Sequence, residues 1–140
     1  MKAQKLLVGC FALTALVVAG CAGGHSKGPS DTEMIQQIVT DAMAGMVAQD
    51  IDVMLASYAP DFQSDNGDLE ATRDFLQGIK DAGFLQDIDV DLTGLAIAID
   101  GDTATAGPVV LLAAIGEIGL NFDLEKREGT WLVVSQSADQ

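Results

Sequence analysis

Asp87-Ile88-Asp89-Val90-Asp91-Leu92-Thr93-Gly94-Leu95-Ala96-Ile97-Ala98-Ile99-Asp100-Gly101 is where the chain declares a sheet. Ile88, Val90 and Leu92 alternate with Asp87, Asp89 and Asp91, so one face is apolar and the other solvated, the pattern of a half-buried strand. After Thr93-Gly94 the apolar residues move to odd positions: Leu95, Ile97 and Ile99. A one-residue slip turns every side chain to the other face, so a bulge near Gly94 is the expected repair. Asp100-Gly101 is a hairpin turn signal.

Downstream, a strand is expected from about Thr103 to Ile115, with Pro108 marking an edge or an irregularity. Gly116–Gly119 reads as a turn. Ile118, Leu120, Phe122 and Leu124 then alternate with Gly119, Asn121, Asp123 and Glu125. Arg127-Glu128-Gly129-Thr130 turns again, Trp131–Val134 closes the sheet, and the last residues read as a tail. Upstream the period is helical. Ser30-Asp31-Thr32-Glu33 fits a capping box behind Pro29. Met34, Ile35, Ile38, Val39, Ala42, Met43, Met46 and Val47 follow at helical spacing to about Ala48. A short second helix from Asp50 or Asp52 places Ile51, Met54, Leu55 and Tyr58 on one face and stops at Pro60. Asp61–Asn66 reads as a short extended or turn piece. A third helix opens near Gly67 or Asp68 with Leu69, Thr72, Phe75, Leu76 and Ile79 on one side, and Gly83 suits its C-terminal cap. The expected fold class is α+β: three N-terminal helices packed on a curved antiparallel sheet.

The start of the chain is of another kind. Met1–Lys5 is basic, Leu6–Val18 is an apolar run too short to span a bilayer, and small residues follow. Val18-Ala19-Gly20-Cys21 resembles the bacterial lipobox. That resemblance implies a signal peptide, residues 1–20, removed ahead of Cys21, which would gain a diacylglycerol thioether and an N-acyl chain such as palmitate. Several acyl chains hold a protein stably, since each buried CH₂ contributes about 0.8 kcal/mol. Ala22, rather than Asp, leans towards the outer membrane facing the periplasm, if the cell has one. Residues 21–29 read as a flexible tether. The single histidine, His25, falls there and is a poor candidate catalyst. The expected organisation is a signal over 1–20, a tether over 21–29, a domain over 30–136 and a tail over 137–140.

All twenty-one acidic residues follow Cys21, against five of the seven basic ones. A surface so acidic repels phosphate backbones and excludes nucleic-acid binding. It also repels anionic head groups, so the body stands off the membrane. The only cysteines are Cys10, inside the signal, and Cys21, which excludes a disulfide, a cysteine metal site and thiol catalysis from the domain.

Asp50–Phe62 (DIDVMLASYAPDF), Gly67–Leu76 (GDLEATRDFL), Ile99–Ala106 (IDGDTATA) and Glu128–Val134 (EGTWLVV), in that order, resemble the nuclear transport factor 2-like superfamily. That superfamily includes SnoaL-like polyketide cyclases and ketosteroid isomerase. The resemblance covers about Asp31–Val134 and implies a cone with a pocket between sheet and helices, lined here by Tyr58, Phe62, Phe75 and Trp131. Enzymes of this kind place Asp, Tyr, His or Arg in the cone, where an apolar setting tunes a carboxylate as base and a Tyr can serve an oxyanion. Tyr58 is the only phenol. Asp61 reads as a turn or cap and Arg73 as a solvent-facing partner of acids. No Tyr–Asp–Asp isomerase set can be matched residue by residue. Asp87-Ile88-Asp89-Val90-Asp91 begins like a calcium loop, but Leu92 stands where that loop needs Gly and Ala98 where it needs Glu. It reads as a solvated strand face, and Asp100-Gly101-Asp102 reads as a turn. No metal or cofactor is expected. Met34, Met43, Met46 and Met54 suit core filling, or an adaptable apolar pocket.

Two functions follow. One is a non-catalytic, membrane-tethered module binding a small hydrophobic ligand or an envelope protein partner, with a homodimer as a candidate form. The alternative is a SnoaL or ketosteroid isomerase-like enzyme acting on a small hydrophobic substrate.

Overall fold

The computed structural model describes residues 28–139. The expected signal, Cys21, the expected tether up to residue 27 with His25, and Gln140 lie outside the described residues. Among the described residues, no helix is long and apolar enough to cross a membrane.

Helix α1 runs over Asp31–Val47. The capping box is formed: Ser30 Oγ accepts from the Glu33 amide, and Glu33 reaches back to the Ser30 amide at 2.7 Å. The buried stripe is Ile35, Val39, Ala42, Met43 and Met46. Helix α2 is a single turn, Ile51–Met54, capped by Asp50. It packs so close to α1 that a Cβ on Gly45 would lie 2.6 Å from the Met54 amide nitrogen. Helix α3 is Leu69–Asp81, capped by Asp68, and Gly83 turns the chain away at φ +81°.

Seven strands form one sheet: β1 (Tyr58–Ser64), β2 (Gly67–Asp68), β3 (Asp89–Asp91), β4 (Ala96–Asp100), β5 (Thr103–Ala113), β6 (Gly116–Arg127) and β7 (Thr130–Asp139). Their order is β2-β1-β7-β6-β5-β3, with β4 also on β5. The α+β class stands, but the sheet is mixed, because β1 lies parallel to β7. The expectation of a purely antiparallel sheet misses β1. Ile51, Met54, Leu55 and Tyr58 have helical spacing and all four are buried. The helix nevertheless ends at Met54, and Tyr58 opens a strand. One core receives both pieces, so burial alone cannot separate them.

Three further expectations change. The slip at Gly94 is repaired by a break, not a bulge. Leu95 N–H turns back onto Leu92 O at 3.0 Å, and β3 and β4 then pair separately with β5. The irregularity sits on β5 itself, where pairing with β6 jumps from Ala106↔Phe122 to Val109↔Leu120 around Pro108. The β5–β6 turn is Ala114-Ile115, so Gly116–Gly119 belongs to β6. The expected tail is strand, since β7 continues to Asp139 opposite Gly119. The Asp100-Gly101 and Glu128-Gly129 turns form as expected.

The core lies between α1 and one face of the sheet. Trp131, Phe62, Phe122, Ile35, Leu124, Val39, Val109 and Val133 are its largest fully buried side chains. Met43, Met46 and Met54 are core as well, and Met34 packs on its border.

Candidate functional site

The family resemblance implies a pocket inside the cone, and of the four residues expected to line it the structure buries three. Tyr58 and Phe62, on β1, are both buried, with ring centroids 4.8 Å apart and planes tilted by 51°. Trp131, at the start of β7, is 1% exposed. Phe75 does not join them. It sits on the outer side of α3, 46% exposed, while Thr72 and Leu76 carry that helix's contact with the core.

Tyr58 is the one acid–base candidate inside. Its hydroxyl donates to Gln136 Oε1 at 2.6 Å. Burial pushes the phenol well above its ordinary range, so it is neutral and its proton is committed. The partner is a carboxamide on β7, 78 residues on in the chain, and no residue near Tyr58 announces it. Trp131 turns its polar edge outward: Nε1 donates to Asp31 Oδ1 at 3.0 Å. Lys126 Nζ donates to the same oxygen at 2.8 Å and stands 5.9 Å from the indole centroid. These bonds hold the Asp31 carboxyl below the usual range, Lys126 first and Trp131 second. The cluster clamps the first turn of α1 onto the β6–β7 hairpin. In sequence Asp31 is visible only as part of a cap, because its partners lie 95 and 100 residues away.

The remaining candidates are at the surface. Asp61 is not a turn or cap but an exposed strand residue. Arg127 grips it with two bonds, 2.6 and 3.0 Å, and also binds Glu125. Arg127 lowers the Asp61 carboxyl, while Asp61 and then Glu125 push the guanidinium up. Arg73 faces solvent and pairs with Asp52, as expected of a partner of acids. Asp91 accepts from the Thr93 amide and hydroxyl at 2.8 and 2.6 Å, which makes the calcium-like run a local turn. Among the described residues no three metal-binding side chains converge, and every buried side-chain polar atom has a partner.

The prominent depressions are open surface clefts. The largest, about 670 Å³, runs along α1 past Pro29, Met34 and Ile38 to Gly129, Thr130 and the edge of Trp131. A polar cleft of about 510 Å³ lies between α2 and α3, with Gln49, Asp52, Arg73, Gln77 and Lys80 in its walls. The first could take a flat apolar group. The second holds the Asp52–Arg73 ion pair.

Solved structures carry the same architecture. An NTF2-like protein of unknown function from Shewanella baltica superposes with TM-score 0.64 at 19% identity, over 80% of this chain and 97% of that one. The fold is nuclear transport factor 2-like. A second such protein, from Pseudomonas putida, gives 0.64 at 17% identity over 80% and 89% of the two chains. A third, from Novosphingobium aromaticivorans and described as having a cystatin-like fold, gives 0.63 at 14% over 77% and 80%. At these identities the likeness speaks for the fold alone. No family model and no curated protein sequence matches the chain.

Proposed function

We propose that this chain is a membrane-tethered, extracytoplasmic lipoprotein whose domain binds a partner and does not catalyse. One observation carries the second half of that reading: the cone's only phenol donates to Gln136 and sits among packed aromatic and aliphatic side chains. An isomerase-like site needs a hydroxyl free to serve an oxyanion and a carboxylate facing it. Here Asp31, beside Trp131, and Asp61, next to Phe62 in the chain, are held by Lys126 and Arg127. Binding therefore falls to the surface. A small hydrophobic ligand would use the α1 groove beside Trp131; an envelope protein or a second copy would use a strand or helix face.

The tethered half rests on Val18-Ala19-Gly20-Cys21 behind its apolar run. Acylation at Cys21 would anchor the chain, facing the periplasm from the outer membrane where the cell has one. Cys21→Ser removes the only thiol that could carry the lipid. Mass spectrometry of the membrane fraction should show an acylated N-terminal cysteine for the parent chain and no acylated species for the variant. A variant still lipidated would overturn the anchor. Isomerisation of a β,γ-unsaturated ketone by the parent chain would overturn the non-catalytic reading.

A further inference from the structure

A sheet edge is a row of N–H and C=O groups able to pair with another strand, and proteins close such edges with brevity, charge, Pro or bulges. The strands at the edges of this sheet differ in how they are closed. β2, Gly67–Asp68, is two residues long and passes straight into α3. β3, Asp89–Asp91, carries two acids in three residues. β4, Ala96–Asp100, has neither protection. Its five residues keep unbroken register with β5, from Ala96↔Gly107 to Asp100↔Thr103. Among the described residues no strand lies on its other side. It has no Lys, Pro or bulge, and its single charge, Asp100, stands at the end. Ala96, Ala98 and Ile99 are exposed, Ile99 by 38%.

The setting of that edge is acidic. Ala98, Thr105 and Asp123 are neighbours in register across β4, β5 and β6, and so share one face. A depression of about 400 Å³ crosses these strands, with Asp100, Asp123 and Glu125 in its walls and no Lys or Arg. The described residues hold four basic side chains against twenty-one acidic ones. A second copy would bring the same charge to the same edge, whereas a basic segment would be drawn to it.

From the unclosed strand and its acidic surround, we infer that the β4 edge docks an extended cationic protein segment, which adds as a further strand beside Ala96–Asp100. Backbone pairing supplies the affinity, as in other strand additions. Small side chains at Ala96 and Ala98 leave room for the added strand's own. A Lys or Arg beside Asp100 gains a partner, and Asp123 and Glu125 extend the attraction. The inference rests on the binding reading above and names its surface and partner.

The test uses the full-length chain, ¹⁵N-labelled and kept in mild detergent. The probe is a blocked hexapeptide of alternating Val and Lys. Saturable amide shifts should centre on Ala96–Asp100 and β5. N-methylation of alternate peptide residues keeps the charge and removes one row of donors, and should weaken binding about tenfold or more. Ala98→Lys, at an exposed position, should weaken it similarly without changing the melting temperature. Equal binding by the N-methylated peptide, or shifts scattered over the acidic surface, would reduce the effect to bulk charge and overturn the proposal. So would no binding, or self-association through β4 that Ala98→Lys abolishes. None of these failures touches a small ligand in the α1 groove, which native mass spectrometry of the same sample reads separately.

Discussion

The inside of the cone and its β4 edge meet on one strand, β5, and use it in opposite ways. Towards the core, β5 presents Ala104, Ala106, Val109 and Leu111, all buried against side chains that leave no polar atom without a partner. Beside it, β4 leaves a row of backbone groups and exposed Ala and Ile without a strand neighbour among the described residues. The interior has used its bonding capacity on folding, and the edge has not.

The harshest way to break that contrast is to empty the interior. Phe62 is fully buried. Phe62→Ala should cost about 3–5 kcal/mol, the usual loss for an aromatic in a close-packed core. Chemical denaturation measures it. A loss below about 1 kcal/mol would mean the cone has slack enough for a ligand, and the contrast would fail. Next comes the close approach of α1 to α2. Gly45→Ala drives a methyl into the Met54 backbone and should cost about 1–3 kcal/mol, as overpacking does. Gly78, in α3, has nothing within 4 Å of its hypothetical Cβ. Gly78→Ala should instead stabilise, by up to about 1 kcal/mol of helix propensity. Opposite signs at two helical glycines would show that contact, not propensity, decides at Gly45.

Tyr58→Phe sharpens the comparison more gently. It keeps ring packing on Phe62 and removes one hydrogen bond to a half-buried carboxamide. A loss of about 1 kcal/mol is expected, with every binding property intact. Loss of an activity by roughly 10²-fold, as for an oxyanion donor, would restore the enzyme reading.

Much of the fold was legible in the chain because its signals are local. The capping box at Ser30, the cap at Asp68, the αL glycine at Gly83 and the Asp100-Gly101 turn each need only neighbours in sequence, and each formed. What failed was non-local. The end of β1 falls in the expected extended or turn piece, Asp61–Asn66, but its start was hidden because Tyr58 continues the helical spacing of Ile51, Met54 and Leu55, and its pairing partner, β7, is more than seventy residues away. Ser135–Asp139 lacks a strand's hydrophobic alternation, and it is backbone pairing with β6 that makes it strand. The candidate site was legible as a set of buried residues, Tyr58, Phe62 and Trp131, but the outward turn of Phe75 was not. Packing density has no sequence period, and neither Gln136 nor the Asp31–Lys126 clamp announces itself.

The smallest expected effect concerns that clamp, and acid titration isolates it. Asp31 is bonded by Lys126 and Trp131, while Asp52, on the exposed α2–α3 pair, is 86% exposed and meets only Arg73. The Asp31 carboxyl is lowered from its ordinary value of about 3.8. A group with a depressed folded pKa contributes stability that is present above its unfolded value and lost as pH falls through the folded one. Acid also protonates the other carboxylates and relieves their mutual repulsion, so the melting curve of one protein mixes two opposed effects. The difference between parent and Asp31→Asn cancels the shared part. That difference, read from urea midpoints, should be level from neutral pH to about pH 4 and shrink towards zero below it. Exposed pairs contribute little, so Asp52→Asn should change the midpoint scarcely at all. A flat Asp31 difference down to pH 2 would mean that the carboxylate does not hold α1 to the hairpin. The rim would then be as loose as the edge beside it, and the contrast between a closed interior and an open edge would end at the aromatic core.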